Sequence, residues 1–175
     1  MKARVLAGIL LLAAGAAHAD DRRSVKNMVD PGAKDVRLTP VVPTTVRAMT
    51  LLPVPQNIFG PRGRFVRVAP VETTVWRVRA RLVRVHQEYD GDLHLTIEEP
   101  ADSTVAMIAE VPMPRMNLAH AAEWRAVRAA LTPDLVGKVI VLEGVGFFDY
   151  PHADRAAPNG IELHPVLALK FEAKS

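Results

Sequence analysis

Four histidine and glutamate residues fall on the polar sides of segments that alternate apolar and polar residues. The segment LHLTI turns His94 away from its leucines, AEV turns Glu110 away from its apolar neighbours, and IELHPV does the same for Glu162 and His164. Grouped carboxylates and imidazoles can hold a divalent cation. Oxygen-rich sets suit Mg²⁺, Ca²⁺ or Mn²⁺, and added imidazole favours Zn²⁺ or another transition metal.

Other polar residues lie in the turns beside these segments. Asp90 and Asp92 flank a glycine just before the His94 segment, and Asp149, His152 and Asn159 lie in the loop before the last one. We predict that Asp92 joins the four residues above as a metal ligand and that the others contribute to ligand binding. The alternative is that all of them are solvated surface groups, because polar side chains usually are.

Arginines alternate along the segment WRVRARLVRV. Arg77, Arg79 and Arg81 could bind phosphate or another polyanion. The alternative is an exposed edge whose arginine stems cover apolar surface. Aromatic residues make up only 5% of the chain, which gives little material for stacking nucleic-acid bases. Nucleic acid is therefore a weakly supported partner, and the ligand is unknown.

The spacing of apolar residues predicts a mainly β domain. Strands are expected at residues 74–88, 93–97, 104–111, 138–148 and 161–171, with a helix capped by Asn117 and running to about Leu131. Apolar and polar positions exchange parity near Leu82, which indicates a β-bulge. Three strands, a helix and two strands is the order of the OB-fold, a five-stranded Greek-key barrel. The alternative is an α+β sheet that does not close.

The first 19 residues read as a secretory signal. Lys2 and Arg4 precede an uncharged apolar run, and Ala17-His18-Ala19 matches a cleavage site. We expect cleavage after Ala19 and a periplasmic or secreted mature chain without a transmembrane segment. That chain would carry 20 basic and 19 acidic residues, a net charge of +1.

The mature chain divides into two parts. Residues 20–72 contain seven prolines and no sustained period, so they are predicted to form an extended or loosely packed extension, with a possible edge strand at residues 65–68. Residues 73–175 form the predicted OB-fold-like domain. The sequence has no cysteine, so its stability must come from core burial and not from disulfides.

One stretch resembles the staphylococcal nuclease family, which is secreted and has an OB-fold. YDGDLHLTIEEPADSTVAMIAEVP matches the family's aspartate turn and the acidic residue that precedes a proline. The resemblance implies an OB-fold and metal ligands at Asp92 and Glu110. The family's strand-three arginine falls on or near Val105, and Met113-Pro114 replaces its glutamate. Arg155 is the only candidate for the family's loop arginine, so most of the groups that activate water and hold phosphate are not matched.

A second set of motifs resembles a widespread family of exported bacterial proteins. These motifs are APVETTVWRVRARLV, DGDLHL, AEVPMP, GVGFFDYPH and APNGIELHPV, and they span about residues 68–170. This resemblance implies export and brings no activity with it.

The sequence is therefore compatible with three functions. The first is an exported OB-fold binding module that holds one divalent metal ion of unknown identity on its outer sheet face. The second is a metal-dependent phosphodiesterase or nuclease in which His94 or His152 acts as general base. The third is a structural envelope protein that docks through residues 20–72.

Overall fold

The computed structural model describes residues 22–56, 58–59, 65–150 and 155–171. The predicted signal segment and His152 lie outside these residues, so the expectations for them stay predictions. No helix in the described part of the chain combines the length and the apolar character needed to cross a membrane.

The protein is mainly β, with six strands in one mixed sheet and a few short helices. The strands are β1 (Arg37–Thr45), β2 (Thr74–Gln87), β3 (Leu93–Glu99), β4 (Asp102–Val111), β5 (Val139–Phe148) and β6 (Ile161–Lys170). The α-helices are α1 (Arg23–Lys26), α2 (Val46–Thr50) and α3 (Ala121–Ala130). Single 3₁₀ helices cover Pro31–Asp35, Val71–Thr73 and Pro133–Leu135.

Five of the strands form a ring. The sheet order is β1-β2-β3-β4-β6-β5, and β2 also pairs with β5. The weakest contact in the ring is the parallel pair β4–β6, where only two positions are in register. The five strands predicted from the sequence are all present, and the predicted bulge appears as a register shift between Leu82 and Arg84.

The sixth strand corrects the predicted count of five. β1 contains Pro40 and Pro43 and pairs in parallel with β2 at the outer edge of the sheet. Proline lacks a backbone donor, so a strand can contain it at an edge, where one side needs no partner. The sequence did not predict this strand, because its residues RLTPVVPTT contain two prolines and show no regular alternation of apolar and polar residues.

Several described residues of the rest of the predicted extension are anchored to the domain. Val25, Val46 and Met49 are at most 1% exposed. The carboxylate of Glu72 is paired with Arg22 at 2.7 Å, and Arg67 is paired with Asp30 at 2.6 Å. Residues 65–68 form no strand, because the Val68 N–H donates to Glu72 and not to a neighbouring strand. Loose packing was therefore the wrong expectation for these anchored residues.

The main core fills the ring and is closed on one side by α3. Trp124 and Val127 of that helix are buried against the inner faces of the strands. The helix begins at Ala121 and not after Asn117, since Arg115 and Leu118 accept backbone bonds in turns that precede it. A second, smaller core lies on the other side of the sheet, where Met28 and Val36 pack on Val75 and Val145.

This second core decides the environment of the predicted site. The N-terminal segment covers the face of the sheet on which the polar residues were expected to meet solvent. His94, Glu110, Glu162 and His164 are only 0–6% exposed. The alternative that these residues are solvated surface groups is therefore wrong for all four.

Candidate metal centre

Four strands place a row of polar side chains side by side across the covered face. His86 on β2 pairs with His94 on β3, and His94 pairs with Glu110 on β4. The β4–β6 register pairs Ala109 with Leu163, so one residue further along Glu110 faces His164. Directly opposite residues in a sheet have Cβ atoms about 5 Å apart, which brings their side chains into contact.

The turn between β2 and β3 brings Asp92 to the end of this row. Gly91 adopts a φ of +93°, which favours glycine, and the Glu88 N–H donates to the Asp92 carbonyl at 2.8 Å. Asp90 accepts from the Asp92 N–H at 3.1 Å, and Asp92 Oδ1 accepts from the Met113 N–H at 2.7 Å. These bonds fix the Asp92 carboxylate beside the row.

Asp92, Glu110 and His164 form a group with the spacing of a metal site. Each of them offers one ligand atom, and the three atoms lie within 4.8 Å of one another. A zinc ion bound at about 2.0–2.1 Å in tetrahedral geometry holds neighbouring donors about 3.3 Å apart. The His164 Nδ1 atom lies 2.8 Å from Glu110 Oε2. These two atoms would therefore have to move apart by about half an ångström to bind the same ion.

The contact between His164 and Glu110 is not a well-directed hydrogen bond. Neither ring nitrogen of His164 has a hydrogen-bond partner among the described residues, although the residue is fully buried. A buried polar atom without a partner costs about 1–3 kcal/mol. A nitrogen that faces a carboxylate without a hydrogen bond is suited to sharing a cation with it.

Glu110 is held in its charged form. Burial on its own would raise its pKa, but the charge of His164, the close contacts of His164 and His94 with its two oxygens and the charge of Lys26 outweigh it and bring the pKa well below the usual range. Lys26 lies 3.8 Å from Glu110 Oε2 and 2.6 Å from Asp149. Burial lowers the pKa of Lys26, but Glu110 and Asp149 more than offset it, so the pKa ends above its ordinary value.

Two other carboxyl groups near the row have raised pKa values. Burial raises the pKa of Asp92, and the hydrogen bond from Met113 acts in the opposite direction. Burial and then the charges of Glu110 and Asp149 raise the pKa of Glu162 well above its ordinary value. Glu162 shares the buried face as predicted, and its Oε2 has no hydrogen-bond partner among the described residues, but it lies outside the group of converging donors.

A small cavity opens beside Asp92 and Glu110. It has room of about 40 Å³, which suits water molecules, a small ion or a single phosphate group but not a whole organic molecule. Arg23, Lys26 and Arg115 line it together with the carboxylates. Arg23 is bonded to Asp90 at 3.0 Å, which places the predicted ligand-binding residue Asp90 at the rim of the cavity.

Most of the remaining predicted binding residues bond to other parts of the fold. The Asn159 amide donates to the Met49 and Leu52 carbonyls at 2.9 and 3.0 Å, which ties α2 to the loop before β6. Arg77 is bonded to Glu143 at 2.7 Å. Arg81 donates to the backbone carbonyls of Gly137 and Pro100, and the side chain of Arg79 is exposed. The arginines thus lie apart from the row, and an anion-binding role for them stays a prediction.

Three residues of the site were not predicted. His86 lies near the end of β2, Glu88 directly follows the strand, and Lys26 comes from the segment expected to be loose. The sequence did contain a signal for the first two: HQE and DLH flank the turn, so pairing across it brings His86 opposite His94. No sequence pattern pointed to Lys26, which reaches the site only through the packing of the N-terminal segment on the sheet.

Comparison of the chain with protein-family models, with curated proteins and with solved structures finds no match. The two resemblances therefore remain expectations, and the function is inferred from the geometry of the site.

Proposed function

We propose that the protein is an exported OB-fold-like binding module that holds a divalent transition-metal ion at Asp92, Glu110 and His164. The observation that carries the proposal is the convergence of these three donors on a buried face, with a fully buried imidazole that has no hydrogen-bond partner among the described residues. Two carboxylates and one imidazole suit Zn²⁺ or Mn²⁺ better than Ca²⁺, which prefers six to eight oxygen ligands.

The OB-fold part of the proposal is supported by the strand order. Strands β2 to β6 form a ring, β4 and β6 run parallel, and α3 lies between β4 and β5. These are the order and the helix position of an OB-fold, with β1 added at an edge. Export is supported by the signal-like pattern of residues 1–19 alone.

The proposal is tested by metal binding to the untagged chain from residue 20 to residue 175, because a histidine tag would itself bind metal. After treatment with a chelator, the protein is titrated with Zn²⁺, Mn²⁺ and Ca²⁺ by calorimetry, and its metal content is measured by elemental mass spectrometry. We expect tight binding of Zn²⁺ or Mn²⁺. A ligand that binds only the folded state stabilises it by about 2.7 kcal/mol at one hundred times its Kd, so chelation should lower the Tm.

Asp92→Asn is the decisive variant because it keeps an oxygen that can accept from the Met113 N–H. It should fold normally and lower the metal affinity at least tenfold. Asp134→Asn is the matched control, since Asp134 pairs with Lys138 on the surface, and His120→Ala controls for loss of a histidine. Wild-type protein that binds none of the three ions would refute the proposal, and so would equal affinity in Asp92→Asn.

A metal-dependent phosphodiesterase is a second candidate, favoured by the cations that line the cavity beside the proposed metal. Arg23, Lys26 and Arg115 could hold a phosphate there, and a bound metal would polarise a phosphate oxygen and activate a water. The assay is hydrolysis of bis-p-nitrophenyl phosphate, DNA and RNA by the metal-loaded protein. Activity in the wild type that is lost in Asp92→Asn would support this candidate, and no cleavage with any ion would exclude it.

A further inference from the structure

A second group of converging donors lies next to the first. The ligand atoms of His86, Glu88 and His94 are within 4.8 Å of one another. Glu88 Oε1 lies 2.7 Å from His86 Nε2 and 3.4 Å from His94 Nδ1. The two imidazole rings face each other across β2 and β3 with their centroids 4.6 Å apart.

Each of the two histidines has one ring nitrogen without a hydrogen-bond partner among the described residues. His94 is 98% buried, and its Nε2 has no hydrogen-bond partner among the described residues. His86 Nδ1 likewise has no hydrogen-bond partner among the described residues. When one ring nitrogen binds a metal, the ring proton must lie on the other nitrogen. The unpartnered nitrogens can take these protons and leave His86 Nε2 and His94 Nδ1 as lone-pair donors.

Glu110 connects this group to the first one. Its Oε1 lies 3.1 Å from His94 Nδ1, and its Oε2 lies 2.8 Å from His164 Nδ1. One carboxylate therefore offers a separate oxygen to each group. This is the arrangement in which a carboxylate bridges two metal ions, and such ions lie about 3.5–4 Å apart in two-metal sites.

We propose that the protein holds two divalent ions, the second bound by His86, Glu88 and His94 and bridged to the first by Glu110. This inference rests on the proposed function, because it extends the same row of side chains by one site. Two imidazoles and one carboxylate make the second site richer in nitrogen, which suits Zn²⁺, Ni²⁺ or Cu²⁺.

The two sites differ in their access to solvent. The side chains of His86 and Glu88 are 38% and 36% exposed, whereas those of Glu110 and His164 are at most 7% exposed. The second ion should therefore exchange faster than the first when a chelator is added. His86→Ala should also leave the fold intact, because this partly exposed ring contributes little to the core.

The test is the stoichiometry of Zn²⁺ in the untagged chain, measured by calorimetry and by elemental mass spectrometry. Wild type and the control His120→Ala should bind two ions, whereas His86→Ala and Glu88→Gln should each bind one. With Co²⁺ in place of Zn²⁺, the EPR spectrum should show coupled ions in wild type and an isolated ion in His86→Ala.

The outcomes separate this inference from the proposed function. One ion in wild type that is unchanged in His86→Ala would overturn the second site and leave the first in place. Loss of all metal in a folded His86→Ala would show that the two groups make one site, which also overturns the inference. No metal in wild type would remove both proposals.

Discussion

Replacing Glu72 by glutamine should cost the protein a large part of its stability. The Glu72 carboxylate is fully buried and accepts four hydrogen bonds: Oε1 accepts from Arg22 at 2.7 Å and the Phe148 N–H at 2.8 Å, and Oε2 accepts from Arg22 at 2.7 Å and the Val68 N–H at 2.8 Å. This one side chain joins the start of the described chain to the end of β5.

The size of the effect follows from what glutamine would leave unpaired. Its amide nitrogen replaces one oxygen, so two of the four bonds are lost and the buried Arg22 guanidinium no longer faces the charge of the Glu72 carboxylate. Each buried polar group left unsatisfied costs about 1–3 kcal/mol. Breaking a buried ion pair on one side costs about 3–5 kcal/mol. We therefore expect Glu72→Gln to lower the free energy of unfolding by about 3–5 kcal/mol.

The assay is urea unfolding followed by the fluorescence of Trp76 and Trp124, with chelator present so that metal binding does not contribute. Arg47→Gln is the control, because Arg47 pairs with Asp102 at the surface, and its unfolding midpoint should match wild type. A loss below about 1 kcal/mol in Glu72→Gln would show that the pair is not desolvated in solution, and the reasoning would be wrong.

Two more predictions concern other parts of the fold. Gly146→Ala should destabilise the protein by about 1–3 kcal/mol, because an added Cβ would lie 2.6 Å from the Val71 carbonyl oxygen. A thermal unfolding curve equal to that of wild type would contradict this. Burial opposes the ionisation of Glu143, but hydrogen bonds from Lys170 and Arg77 outweigh it and hold its pKa below the ordinary value. The stability that this carboxylate adds is therefore present above its unfolded pKa of about 4.3 and is lost as the pH falls through the lower folded value. Glu143→Gln should lower the free energy of unfolding by about a few tenths of a kcal/mol at pH 7. It should also make stability fall less steeply below about pH 4, and a fall as steep as that of wild type would contradict the prediction.

The sequence alone determined the five strands of the ring, the bulge in β2 and the shared face of His94, Glu110, Glu162 and His164. Side chains alternate along a strand, so parity places a residue on one face or the other without knowledge of the fold. Strand order then predicted which faces adjoin. Export and the type of ligand stay predictions, because residue patterns indicate them without fixing a geometry.

Only the tertiary structure decided that this face is buried and that its residues form a row. Burial depends on what packs over the sheet, and the N-terminal segment gave no periodic signal because its contacts come from single anchors such as Arg22, Lys26 and Arg67. Cross-strand register set the neighbours of Glu110, since a shift of one residue would turn it to the opposite face. Whether these polar residues face solvent was therefore decided by packing between segments far apart in sequence, which local patterns do not encode.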